Sequence, residues 1–361
     1  MKNKLESIQI LRGLAALSVV IFHYRFFLPP GSAARSILDK SFWWGGVGVD
    51  LFFVISGFIM VYVTENKPSG AKTSMSFLSN RLTRILPTYY VVLLFVFLTS
   101  GAMSIFHHPE KSSNLVSAMT FQPYVATPAP LYIPDSGMYN VRWTLNYELY
   151  FYFIFSLCLL IKHRFTAICV LFSLPTIYAY FSTGSVTLST AGYSFDSASL
   201  RFLTNPIIFE FGIGILSGVL YFRFKNKSIL KNPYILLSCV IVTIGGISSG
   251  FLIQYNLITS IMFSFLVLLF SLQNDSILKF TPKIFITLGN ISFSLYLIHN
   301  PLGGYILGLA EKVQHGALKS LIGIAVILFI TLITSWLSHK YIEIKLTKKV
   351  RDLLKSIAFN K

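Results

Sequence analysis

Residues 7–24 read SIQILRGLAALSVVIFHY. Arg12 and His23 are the only charged or imidazole side chains in the stretch. A helix that crosses a bilayer needs about 20 mostly apolar residues, and the segment around 8–28 meets that length. It is too long, and carries too much charge inside it, for a cleaved signal peptide, so it reads as a signal anchor. Nine further segments of the same kind follow, near 46–64, 87–106, 142–161, 165–182, 204–222, 233–251, 255–273, 284–307 and 318–338. The division of 233–273 into two spans rests on Gly250, Gln254 and Asn256 forming a tight polar turn.

Composition agrees. Of 361 residues, 54% are hydrophobic and 12% charged, about half the charge a soluble domain carries. A soluble globule of this size could not hide that much apolar surface. The expected fold class is an all-α integral membrane protein of about ten transmembrane helices. Residues 1–345 form one multi-span membrane domain and 346–361 a basic cytoplasmic tail. The three cysteines, Cys158, Cys169 and Cys239, lie in apolar runs without metal-ligand spacing, so they read as small packing residues and no metal is expected.

The net charge is +17. In a soluble protein that would suggest nucleic acid. Here the basic residues lie mostly between the apolar segments, as topology signals do, and no nucleic-acid partner is expected. With ten spans, 21 of the 30 Lys and Arg fall on the side that holds both termini and eight on the other. The excess places both termini in the cytoplasm, and the expected location is the plasma (inner) membrane.

Ionisable groups at membrane depth are candidates for function. Arg12 and His23 are 11 residues apart, so they share a helix face and stand about 16 Å apart along the axis. Arg12 is at the cytoplasmic end, where it could equally be a snorkelling anchor. His23 is in the outer half. Asp50 in GGVGVDLFFVISGF, Glu148 in VRWTLNYELYFYF, Glu210 in NPIIFEFGIG and His299 in SFSLYLIHNP are placed at a similar outer level from four other helices. Ser292, Tyr296 and His299 share one face. Two imidazoles among carboxylates are what acid–base chemistry requires. On the opposite side, FLSNRLTRILPTYY sets Arg81 and Arg84 just before Pro87, which is expected to open the third span. They are either ordinary positive-inside residues or, with Arg12, a phosphate site. Trp143, Tyr147 and Tyr150 could receive sugar rings, although an interfacial belt is the favoured reading for the two tyrosines.

In sequence order, RGLAALSVVIFH, GGVGVDLFFVISGF, the Arg81–Arg84–Pro87 segment, WTLNYELYFY and FSLYLIHNP resemble the motifs of the membrane-bound acyltransferase family 3, over about residues 5–340. The resemblance is to its stand-alone members, without an appended SGNH domain. It implies transfer of an acyl group, most often acetyl from acetyl-CoA, to a hydroxyl of an extracytoplasmic or lipid-linked glycan. On that implication Arg12, Arg81 and Arg84 would hold the nucleotide end of the donor, and the pantetheine arm would lie along the Arg12–His23 face. His23 would be the general base, or carry the acyl group itself. Glu148 would orient the imidazole as a triad carboxylate does. Asp50 and His299 would take part in second rank, and Trp143, Tyr147, Tyr296 and Ser292 would meet the acceptor. A proton-coupled transporter is the rival reading of the His, Asp and Glu residues. It leaves Arg81 and Arg84 without a task, and no inverted repeat accompanies it.

Overall fold

The computed structural model describes residues 5–134 and 139–359, and among them it is all-helical with no strand. The helices are α1 (Glu6–Tyr24), α2 (Ala33–Phe42), α3 (Gly48–Thr64), α4 (Ala71–Thr99), α5 (Pro109–Thr120), α6 (Trp143–Cys158), α7 (Arg164–Thr183), α8 (Ala198–Leu203), α9 (Ile208–Phe224), α10 (Pro233–Ser248), α11 (Leu257–Leu272), α12 (Asn274–Phe280), α13 (Lys283–Val313), α14 (Leu321–Ser338) and α15 (Thr347–Phe359). A helix occupies each of the ten segments expected to span. Among the described residues, the six segments that include α1, α3, α4, α7, α9 and α14 are long and apolar enough to cross a membrane, and α11 with α12, bent by 81°, would make a seventh.

Helix starts follow local chemistry. Ser32, Ser197, Asn232, Asn256 and Ser320 each accept a backbone N–H in the first turn of the helix they precede. Asn256 does so ahead of α11, and Gly250 with φ +75° closes the other side of the 249–256 connection. The expected turn therefore exists.

One boundary differs. Pro87 does not open a helix: α4 begins at Ala71 and runs through it. Proline starts helices well in water, which misleads at this position. Inside a membrane helix neighbouring groups can re-satisfy the carbonyl it leaves unbonded. The expected third span at 87–106 is thus α4 to Thr99, followed by a 3-10 helix over Ala102–His107. The basic tail is also helical, as α15, and reaches α14 through a π-helical segment, His339–Leu346.

The chain divides into two compact units. The first comprises residues 1–67, 187–190 and 206–292, and the second 68–186, 191–205 and 293–361. In the first, Ile8, Leu11, Val54, Phe58, Phe263 and Val267 form the core between α1, α3 and α11. Glycines set the helix spacing. A Cβ at Gly57 would fall on the Phe211 carbonyl, and one at Gly214 on the Val54 carbonyl. Gly218 lies against Phe58 and Val61, so the contacts advance together along both helices and α3 and α9 run parallel. The Cβ of Gly48 would fall near the Ala15 carbonyl and that of Gly45 near the Ser18 carbonyl, which makes α1 antiparallel to α3. The Ser217 hydroxyl donates to the Ser264 carbonyl at 2.9 Å, joining α9 to α11.

In the second unit the Ser74 hydroxyl donates to the Ser156 carbonyl at 2.7 Å, and Phe77 packs on Phe155 at 5.1 Å between ring centroids. Further along, the Tyr89 ring meets Tyr139 at 5.2 Å, just before α6. Helices α4 and α6 are therefore antiparallel.

Candidate functional site

In the first unit, α1 carries Arg12 and His23 as expected, both half-buried. The Arg12 guanidinium donates to Gln9 Oε1 at 3.3 Å. His23 Nδ1 is 2.9 Å from the Val19 carbonyl. A carbonyl can only accept, so Nδ1 carries the hydrogen and in the neutral ring Nε2 carries the lone pair. The helix geometry thus fixes the tautomer that a general base needs.

Asp50 and Glu210 are both wholly buried and come from the parallel pair α3 and α9. Asp50 Oδ1 accepts the Asn256 N–H at 3.0 Å. Asp50 Oδ2 and both Glu210 oxygens lack a hydrogen-bond partner in good geometry, although the two carboxyl groups lie next to one another and Glu210 faces Ser260. Ser292, at the end of this unit's share of α13, is buried with its hydroxyl unpartnered.

In the second unit the arginine pair lies inside α4 rather than at its mouth, ten and 13 residues past Ala71. The Arg81 guanidinium sits over Phe77 at 5.4 Å and over Tyr152 at 5.3 Å. The Tyr152 hydroxyl donates to Glu148, and the Glu148 carboxylate is within electrostatic reach of Arg81. Among the described residues no salt bridge engages Arg81 or Arg84. Antiparallel packing of α4 on α6 brings this group together, which sequence spacing within either helix does not reveal.

Further along α6, the Thr144 hydroxyl bonds the Tyr296 hydroxyl at 2.9 Å. His299 is wholly buried, with Nδ1 2.7 Å from the Tyr296 carbonyl, so its tautomer is fixed in the same sense as that of His23. Tyr147 is also wholly buried: its hydroxyl donates to the Pro130 carbonyl at 3.1 Å and its ring stacks on Phe202 at 4.2 Å. The interfacial-belt reading of Tyr147 is therefore corrected. The groups that cover it come from a loop and from α8, far away in sequence. Trp143 is 6% exposed and meets Tyr147 edge-on.

Three features escaped the sequence reading. Arg142 counts as a flanking charge by position, yet it is wholly buried. Its guanidinium donates to Ser117 Oγ at 2.9 Å, Asn114 Oδ1 at 3.1 Å and the Tyr139 carbonyl at 3.3 Å. Asn146 is buried with neither amide atom partnered; an asparagine in the middle of an apolar helix was the available signal. His339 Nδ1 meets Glu343 Oε2 at 2.8 Å within the π-helical segment, and the Ser294 hydroxyl of α13 donates to the same oxygen at 3.1 Å.

A family model described as an acyltransferase domain (acyltransferase 3) matches residues 5–340. The chain belongs to this acyltransferase family. Its relatives include the exopolysaccharide production protein ExoZ of Rhizobium meliloti (strain 1021), 30% identical over 187 residues, which are 50% of this chain and 52% of that protein. A Staphylococcus aureus (strain COL) protein provisionally named an O-acetyltransferase is 25% identical over 369 residues, covering 94% of this chain and 56% of the relative. The peptidoglycan O-acetyltransferase OatA of Listeria monocytogenes is 29% identical over 116 residues, 32% of this chain and 16% of that protein. The chain thus spans about half the length, or less, of the curated relatives it matches. No solved structure matches it. Among the described residues, no group of three or more His, Cys, Asp or Glu could hold a metal ion.

Proposed function

We propose that the chain transfers an acetyl group from cytoplasmic acetyl-CoA to a hydroxyl of an extracytoplasmic or lipid-linked glycan. The observation that carries this reading is the His23 tautomer: Nδ1 is committed to Val19, so the basic nitrogen is Nε2, on a helix whose cytoplasmic end bears Arg12. Nε2 takes the proton of the acceptor hydroxyl as its oxygen attacks the thioester carbonyl carbon. The C–S bond breaks, and the departing CoA sulfur takes that proton from the imidazolium. The products are the acetyl ester and free CoA, with the imidazole restored.

Arg12, Arg81 and Arg84 are the residues proposed for the donor phosphates. A guanidinium fork matches phosphate oxygens, and the lack of a salt bridge at Arg81 and Arg84 suits that role. Glu148 is proposed as the carboxylate that balances positive charge. Asp50 and His299 have supporting roles, and Trp143, Tyr147, Ser292 and Tyr296 shape the acceptor side. Since Tyr147 is enclosed, it would act by holding its neighbours.

The same reading has ten spans in the inner membrane with both termini in the cytoplasm. Helix directions within each unit support it: α1 opposes α3, α3 and α9 run together, and α4 opposes α6, as ten successive crossings would have them. The test is consumption of the thioester. Membranes that hold the full chain should release free CoA from acetyl-CoA when an acceptor glycan is present and should not do so with His23→Gln. CoA release that is identical in the two would overturn the reading.

A further inference from the structure

The second unit contains a cavity of about 580 Å³, within the range of ligand pockets. It opens where α4 ends, about 22 Å along that helix from Arg84. Its lining includes Lys111, Asn114, Tyr139, Asn140, Asn300 and Lys312. Among the described residues, no carboxylate lines it. Glu311 precedes Lys312 in sequence, but its Oε1 takes Lys319 Nζ and the Gly316 N–H, each at 3.1 Å, and its Oε2 meets His315 Nδ1 at 2.8 Å.

The wall is constructed rather than incidental. Arg142 holds Asn114 by Oδ1, which leaves the Asn114 amide nitrogen as the group able to donate into the cavity. The Asn300 amide donates to Asn140 Oδ1 at 2.8 Å, fixing those two against one another. Tyr139 contributes its ring to the wall: it is 4% exposed and packs on Tyr89 at 5.2 Å between ring centroids, with its hydroxyl enclosed. Gly304 and Gly308, one turn apart on α13, also line the cavity, and a Cβ at either would meet nothing within 4 Å. That stretch of helix is bare backbone facing open space, with the Tyr305 ring beside it.

We propose that this cavity binds the acceptor and that it selects a negatively charged saccharide, its carboxylate or phosphate between Lys111 and Lys312 and its hydroxyls on the asparagine amides. The inference rests on the acyl-transfer reading for the word acceptor, and on the cavity alone for the chemistry. An aromatic ring and amide groups suit a sugar; two ammonium groups suit an anion.

The test is equilibrium binding to the full chain in phosphatidylcholine nanodiscs. The probes are labelled tetragalacturonate and a neutral galactotetraose, with acetyl-CoA binding measured on the same samples. The acidic probe should bind at least tenfold more tightly than the neutral one. Lys111→Ala and Lys312→Ala should each weaken it about tenfold, and together they should remove the preference. Gly308→Leu, whose Cβ meets nothing within 4 Å and whose longer side chain enters the cavity, should abolish binding of both saccharides and leave acetyl-CoA binding as it was. Equal binding of the two probes, failure of tetragalacturonate to bind, or indifference to the lysine changes would overturn the proposal. So would displacement of the saccharide by phosphatidylglycerol in the nanodisc, which would make the cavity a lipid-headgroup site. If acetyl-CoA fails to bind the wild-type chain, the donor reading fails, while the saccharide titration still decides the cavity.

Discussion

Asp50 Oδ1 accepts the backbone N–H of Asn256 at 3.0 Å, across 206 positions of sequence. The bond ties the first turn of α3 to the residue that caps α11, and it holds a wholly buried carboxyl beside Glu210. Asp50→Asn keeps an acceptor for Asn256 and can donate to Glu210, so its thermal stability in detergent should stay close to wild type. Asp50→Ala orphans a part-buried donor, and the loss should be about 1–3 kcal/mol. Equal stability of the two variants would show that the bond to Asn256 does not hold the turn.

Glycine contacts make a second, independent demand. Gly57→Leu would drive its side chain into the α9 backbone at Phe211 and Ile215. Overpacking of this kind costs about 1–3 kcal/mol or more, and here the rigid backbone cannot yield as a flexible side chain would. The variant should give little monodisperse protein. Gly304→Ala, whose Cβ meets nothing within 4 Å, should purify like wild type. Normal yield of Gly57→Leu would contradict the close α3–α9 packing.

Arg84 tests the donor assignment. Arg84→Ala should weaken CoA binding roughly ten- to a hundredfold, the value of a charge-assisted hydrogen bond of about 1.5–3 kcal/mol. Arg84→Lys should recover only part of this, because an ammonium lacks the fork. Calorimetric titration with CoA checks both, and unchanged affinity in Arg84→Ala would return the residue to the role of a topology signal.

The proposed orientation puts the end of α15 in the cytoplasm. Alkaline phosphatase, active only outside it, should stay silent when fused after Lys361. A cytoplasmically active fluorescent protein at the same place should light up. The opposite pattern would reverse the topology.

Much of the fold could be read from local sequence, because each apolar segment carries its own length signal. Asn256 and Gly250 were enough to separate α10 from α11, since a cap and a left-handed glycine act within a few residues. Pro87 was misread because its effect depends on whether water or other helices surround it. Site residues divide in the same manner. Asp50, Glu148 and His299 stood out as polar groups in apolar helices. Arg142 did not: its burial is decided by Asn114 and Ser117 of α5, more than 20 positions earlier. The Arg81–Tyr152–Glu148 group likewise required the antiparallel pairing of α4 with α6.

The most direct test of the central claim, that His23 is the base for acyl transfer, is the rate of O-acetyl transfer by His23→Gln measured beside its acetyl-CoA affinity. Glutamine can hydrogen-bond but cannot take a proton near neutral pH, and general-base catalysis contributes about 10²–10⁴-fold. Transfer should fall by at least a hundredfold while donor affinity holds, since the donor phosphates are assigned to the arginine end of the helix about 16 Å away. A His23→Gln protein that binds acetyl-CoA normally and transfers at close to the wild-type rate would contradict the account.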